Sequence, residues 1–268
     1  MAGSLAGSAS AEATAPVPAS LLRMQVHSTT YAESTDVVCD WAERGEARYV
    51  CVANVHMVME AWDDPAFREI VNAADLVTPD GMPLVWVLRR KGFALKDRVY
   101  GPTLTRWVVA EAAERGIPVG FLGGAPEVLA ALVRNLQKDF PGLSVAFQHS
   151  PPFRPLSVDE DRVLVEAINA SGARILFVGL GCPKQERWMA AHAAGTEYPV
   201  QAVMLGVGAA FDFHAGMLRQ APGWMQARGL EWLFRLAVEP RRLWKRYLKH
   251  NPRFAVLAVK ELWFGSRS

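Results

Sequence analysis

The stretch RILFVGLGCPKQERWMAA, residues 174–191, decides the fold. Ile175 to Val178 is an apolar run too short for a buried helix. It stops at Gly179, as a strand covered on both faces does. Gly181 and Pro183 then punctuate the chain, and a helix is predicted over 183–194. Residues 202–206 repeat the pattern: an apolar run ends at Gly206, and Gly208 follows before Ala209-Ala-Phe-Asp212.

Working outward, strands are predicted at 48–53, 75–78, 117–122 and 143–147. Helices are predicted at 64–73, 83–91, 103–115 and about 126–139. Ser157 and Glu160 form a capping box that opens another helix running to 170. Strands alternating with helices of this length make right-handed βαβ units. The expected fold is therefore α/β, a Rossmann-like, mostly parallel sheet flanked by helices, with no internal repeat. Beyond Gly216 the alternation stops. Residues 224–263 offer one strand candidate, 254–259, and otherwise read as a C-terminal helical appendage. The expected division is a disordered tail at 1–20, rich in Ala, Ser, Gly and Pro, a catalytic core at 21–222, and a basic amphipathic appendage at 223–268.

Bulk properties narrow the function. A chain of 268 residues with 51% hydrophobic content buries a full core, and a net charge of +2 does not point to nucleic acid. Charge position says more, since from Trp224 onward Lys and Arg outnumber the acids Glu231, Glu239 and Glu261. Cys39, Cys51 and Cys182 show neither disulfide nor zinc spacing, the histidines, His56 and His214 included, lack metal spacing, and a reducing cytoplasm is expected. No apolar run reaches the 18 to 20 or so residues of a membrane-spanning helix, and the tail has neither the basic nor the apolar region of a signal peptide.

Ligands of open parallel sheets bind beyond the carboxyl ends of the strands. Four places qualify. Asn54 follows the strand at 48–53 and serves either as a helix cap or as a ligand contact. Thr78-Pro-Asp80-Gly81 is either a turn or a way of holding a general base at the sheet edge. Gly179 and Gly181, with Gln185 and Glu186 in the following helix, and then Gly206 and Gly208, suit tight packing and close approach of a phosphate equally. Neither glycine pair completes a dinucleotide fingerprint. Asp159-Glu160-Asp161 imitates a metal-binding DxD, but its place in a first helical turn makes a structural reading stronger.

The segments TPDGMPLVW, RVYG, FLGG, VGLGCPKQE, GVGAAFDFHAG and GLEWLFRLAVEPRRLWKRY follow one another between about Val50 and Tyr247. In that order they resemble the WecG/TagA/CpsF glycosyltransferases. The resemblance implies a Rossmann-like core, no metal and no cofactor. It also implies an inverting transfer from a UDP-sugar to a polyprenyl-diphosphate-linked sugar acceptor, in surface or exopolysaccharide biosynthesis. By motif position it puts the base at Asp80, pocket contacts at Asn54 and Arg98, and a polar contact to the nucleotide sugar at Gln185. Cations over the donor diphosphate fall on Arg235, Arg242 and Lys245 or Arg246. The chain departs from the pattern at Thr103, where the family often has an acid, and at Arg219-Gln220, where an arginine usually precedes Ala-Pro directly.

A helical wheel from Pro240 supports the basic appendage. Arg241, Arg242, Lys245, Arg246 and Lys249 share one face, and Leu243, Trp244, Tyr247 and Leu248 share the other. That suits a peripheral helix on an anionic membrane at the inner face of a bacterial plasma membrane, or a surface helix packed on the core. Donor sugar and self-association are left open. The rival readings are a nucleotide-dependent Rossmann oxidoreductase and a non-enzymatic membrane scaffold.

Overall fold

A computed structural model describes residues 16–264. The chain opens with β1 (Val17–Leu21), β2 (Met24–Ser28) and α1 (Tyr31–Glu43). It continues through β3 (Arg48–Ala53), α2 (Val55–Asp63), α3 (Pro65–Asn72), β4 (Leu76–Pro79), α4 (Met82–Arg90) and α5 (Gly101–Arg115). Next come β5 (Val119–Gly123), α6 (Pro126–Asp139), β6 (Val145–His149), α7 (Val158–Ala170), β7 (Ile175–Gly179), α8 (Lys184–Ala191) and β8 (Val203–Gly206). Four helices close the described chain: α9 (Ala210–His214), α10 (Gly223–Ala227), α11 (Glu231–Val238) and α12 (Pro240–Phe264).

Six strands form one parallel sheet in the order β4-β3-β8-β7-β5-β6. Side chains alternate across it. Cys51, Leu176, Val178 and Met204 face one layer with Met57, Leu84 and Met189. Val50, Ile175, Phe177, Val203 and Leu205 face the other, with Val38, Leu104 and Leu132. Burial on both sides is why these strands read as unbroken apolar runs. The parallel sheet and the α/β architecture are those expected, and α1 and α2 join the expected helices around it.

Three details differ from expectation. Residues 1–15 of the expected tail lie outside the described residues, whereas Val17–Ser20 belong to β1, antiparallel to β2. The connecting turn places Leu22 and Arg23 at φ 49° and 67°, the left-handed region that a two-residue hairpin turn uses. Residues 254–259 are helical, because Phe254 and Ala258, one turn apart, are the positions buried against the core. The wheel through α12 also splits differently. Leu243 is buried and Tyr247 partly so, while Trp244 (48% exposed) and Leu248 (68%) point outward. The inward line is 243, 247, 250, 254, 258, so the outer surface of α12 carries cations and apolar groups together.

Candidate active site

At the carboxyl edge of the sheet, β3 ends in Ala53 and passes to α2 through Asn54. The Asn54 Oδ1 accepts from the backbone N–H groups of His56 (3.0 Å) and Met57 (3.2 Å), which caps α2. Its Nδ2 meanwhile reaches 3.5 Å from Asp80 Oδ2. Both readings of this residue thus describe one geometry, with the cap fixing the amide that faces the carboxylate.

Asp80 follows β4 directly. Its N–H donates to Ala53 O at 2.7 Å, and its Oδ1 accepts from the Gly101 N–H at 3.0 Å. The carboxylate lies deep at the sheet edge, and burial pushes its pKa up to about 6. The Arg98 guanidinium opposes that rise and Glu231 adds to it. Arg98 itself is buried. It ion-pairs with Glu231 of α11, donates to Gln226 Oε1 of α10 at 3.0 Å, and lies 4.2 Å from the Tyr100 ring centroid. It therefore fastens the closing helices to the core.

Two cavities meet at Asp80. The larger, about 830 Å³, runs past the ends of β3, β5, β7 and β8 beneath the Pro-rich rim at 151–155. The second, about 720 Å³, lies between α4 and the α11–α12 pair. Asn54, His56, Asp80, Tyr100, Arg235 and Arg246 border both.

Gly179, Gly181, Gly206 and Gly208 all line the larger cavity, for different reasons. A Cβ at Gly179 would sit 2.7 Å from the Phe211 ring, and one at Gly206 would sit 2.7 Å from Met189 Cε, so these two serve packing. Gly181, at φ +79°, has open space where a side chain would go. Its N–H is not free for phosphate, however, because Gln185 Oε1 accepts from it at 3.0 Å. Gln185 lines the cavity and passes its own Nε2–H to Glu186 Oε1 at 2.8 Å. Glu186 is fully buried behind it, its pKa pushed up to about 6 by burial, and borders neither cavity. Thr78 is likewise buried within β4, away from both.

Arg235 and Arg242 reach the larger cavity from α11 and α12, both near Glu239 (3.8 and 2.7 Å). Arg246 reaches both cavities. Lys245 does not: one residue back on the helix is a rotation of about 100°, and its Nζ lies outside over the Trp244 ring. Of the two alternatives Lys245 and Arg246, it is Arg246 that borders the cavities. Thr103 and Arg219 border neither cavity.

Residues 19–268 match the model of the Glycosyl transferase WecG/TagA/CpsF family. The chain belongs to that glycosyltransferase family. It is also 30% identical, over 220 residues covering 82% of each chain, to the N-acetylglucosaminyldiphosphoundecaprenol N-acetyl-beta-D-mannosaminyltransferase of Bacillus spizizenii (strain ATCC 23059 / NRRL B-14472 / W23).

In this glycosyltransferase the acids that imitate DxD have side-chain partners of their own, although Asp161 also borders the larger cavity. Glu160 caps α7 and pairs with Arg154, and Asp161 accepts from Trp188 Nε1 and lies 2.9 Å from His192 Nε2. The fold does assemble one metal-type donor set that spacing conceals. Glu60 Oε1 lies 3.7 Å from His56 Nδ1 and 3.5 Å from His250 Nε2. Two imidazoles and a carboxylate suit zinc, yet Arg246, Lys249 and Arg253 surround them and oppose a divalent ion. Burial and these cations lower the pKa values of both imidazoles, that of His56 to about 3. Other residues on the larger cavity that spacing did not single out are Asp212, Phe213, Lys184 and Arg154. Asp212 had a signal, since it closes the glycine-rich segment after β8.

Proposed function

We propose that this glycosyltransferase inverts the anomeric centre of a UDP-sugar while moving the sugar to a polyprenyl-diphosphate-linked acceptor, without a metal. The reading rests on one observation: a partly buried carboxylate, with its pKa raised, is among the described residues the one carboxylate that borders both cavities. A transferase must bring two substrates together at one base. In this scheme the donor occupies the larger cavity and the acceptor enters by the second. The acceptor hydroxyl attacks the anomeric carbon, Asp80 takes its proton, and the bond to the diphosphate breaks. The leaving UDP carries away negative charge that Arg235, Arg242 and Arg246 offset through bidentate contacts. Asn54 orients the base, and Gln185 holds the Gly181 loop against the donor. The name of the Bacillus relative supports an N-acetylmannosaminyl donor, and its β product is what in-line attack on an α-linked donor gives.

No described helix is long and apolar enough to cross a membrane. The outward mixture on α12 of Trp244, Leu248 and Val259 with Arg241, Lys245 and Lys249 fits peripheral attachment to an anionic membrane surface.

The test is UDP release by purified protein from a panel of UDP-sugars with a short-chain lipid-diphosphate acceptor. Asp80→Asn is expected to lower turnover by about 10² to 10⁴-fold, the usual contribution of a general base, while UDP binding persists. Unchanged turnover would remove the base and the proposal with it. NAD(P) binding in place of UDP binding would favour the oxidoreductase reading.

A further inference from the structure

The cavity between α4 and α12 changes character along its length. Near Asp80 it is polar, bordered by Asn54, His56, Arg98 and Arg246. Farther along, Val87 of α4 and Phe254, Ala255, Ala258 and Leu262 of α12 make up an apolar wall, with Arg89, Arg90 and Asn251 also on the border. The apolar side chains neither donate nor accept hydrogen bonds, so this half favours hydrocarbon over a polar ligand. From Arg246 to Leu262 the helix advances about 24 Å at 1.5 Å per residue. The groove therefore accommodates an extended chain rather than a compact ligand. Of the apolar residues that border the groove, Trp86 and Val259 are exposed by 45% and 54%, apolar surface that a partner would cover.

We infer that this groove binds the polyprenyl chain of the acceptor, with the sugar at Asp80 and the chain leaving along α12. The inference rests on the function proposed above, and it adds a hydrocarbon-binding site that places the acceptor. Continuity selects the occupant. The polar end of the groove is Asp80 itself, and a ligand bearing a reactive hydroxyl at one end and hydrocarbon at the other matches both ends at once. A bilayer acyl chain would match only the distal half.

The test compares two acceptors with the same sugar diphosphate, one carrying a long prenyl chain and one a short, water-soluble alkyl chain, both in detergent without a bilayer. Ala255 is an exposed residue of the groove wall, so Ala255→Trp fills the groove without disturbing the core. It is expected to raise KM for the long-chain acceptor about tenfold, the scale of one or two methylenes leaving a buried site. KM for the short-chain acceptor and for the donor should stay unchanged. Val256→Trp, on the outward side of the same helix turn, should leave both acceptors unaffected. An equal loss on both acceptors with Ala255→Trp, no loss on the long one, or a matching chain-dependent loss with Val256→Trp would each overturn the groove. A photoreactive prenyl diphosphate lacking sugar separates this outcome from failure of the functional reading. Labelling of residues 82–90 and 254–262 supports the groove even if no transfer occurs, and labelling confined to the outer face of α12 refutes it.

Discussion

Asp80 carries two opposite pH effects. As a base it works only when ionised, so kcat/KM should fall as pH drops through about 6. As a buried carboxylate whose folded pKa lies above its unfolded value, it favours the fold when protonated. That contribution is present below the unfolded pKa and disappears as pH rises through about 6. Asp80→Asn should therefore melt above wild type at pH 8, with the gap closing toward pH 4, while turnover is lost throughout. A pH-independent gap in melting temperature would contradict the burial argument. Arg98 makes a different prediction. Its partner Glu231 is equally enclosed, each side chain 9% exposed. Arg98→Ala leaves that carboxylate buried without its cation, which costs about 3 to 5 kcal/mol. Pairing it with Glu231→Gln should recover part of the loss in a denaturant titration. None of this was legible as a pair, since 133 residues separate the two. Sequence placed Arg98 near the pocket but could not say that it holds the closing helices.

Elements were legible where burial imposed a pattern. Strands covered on both faces appear as apolar runs, and the Ser157–Glu160 box announced α7. The β1–β2 hairpin escaped because its turn is Leu22-Arg23, with no glycine or asparagine to mark the left-handed backbone. The azimuth of α12 escaped for another reason. Periodicity gives the angles between side chains but not which angle faces inward, and only the packing of Phe254 and Ala258 decides that Arg246 looks into the site and Lys245 away. The same packing sets His250 beside His56, across the α2–α12 contact. Burial and the neighbouring cations lower the pKa values of both imidazoles below their unfolded ones. The unfolded chain then binds more protons on acidification, so stability is lost as pH falls below about 6.5. Glu60 and Asp63 soften the effect, whereas Arg246, Lys249 and Arg253 sharpen it. Protection factors along α12, with the intrinsic exchange rate at each pH divided out, should fall between pH 7 and pH 5, and His250→Gln should blunt that fall. An equal fall in the variant would clear the histidines of any role.

Across the whole molecule, the closing helices cannot be treated as detachable. Glu261 accepts from the Leu22 N–H at 2.8 Å and pairs with Lys91, and Phe254 and Ala258 belong to the buried cluster of the core. Cutting the chain after about residue 222 would bare that cluster, so loss of activity in such a fragment would say little about arginines. Point changes are cleaner. Arg235→Ala with Arg242→Ala should raise the donor KM while the melting temperature holds, because both guanidiniums border the larger cavity and share Glu239. Replacing Trp244 and Leu248 by Ala should weaken sedimentation with anionic vesicles without altering turnover on a soluble acceptor, since both lie outside the two cavities.

The meeting of those two cavities at one carboxylate has a bearing on inhibitor design. A single compound carrying an anionic head for the larger chamber and a hydrocarbon tail for the smaller, joined by a short tether past Asp80, would anchor in both at once. Its second attachment would be intramolecular, at an effective concentration on the order of millimolar. Two weak fragments could in that way become one tight binder, without any new contact being invented.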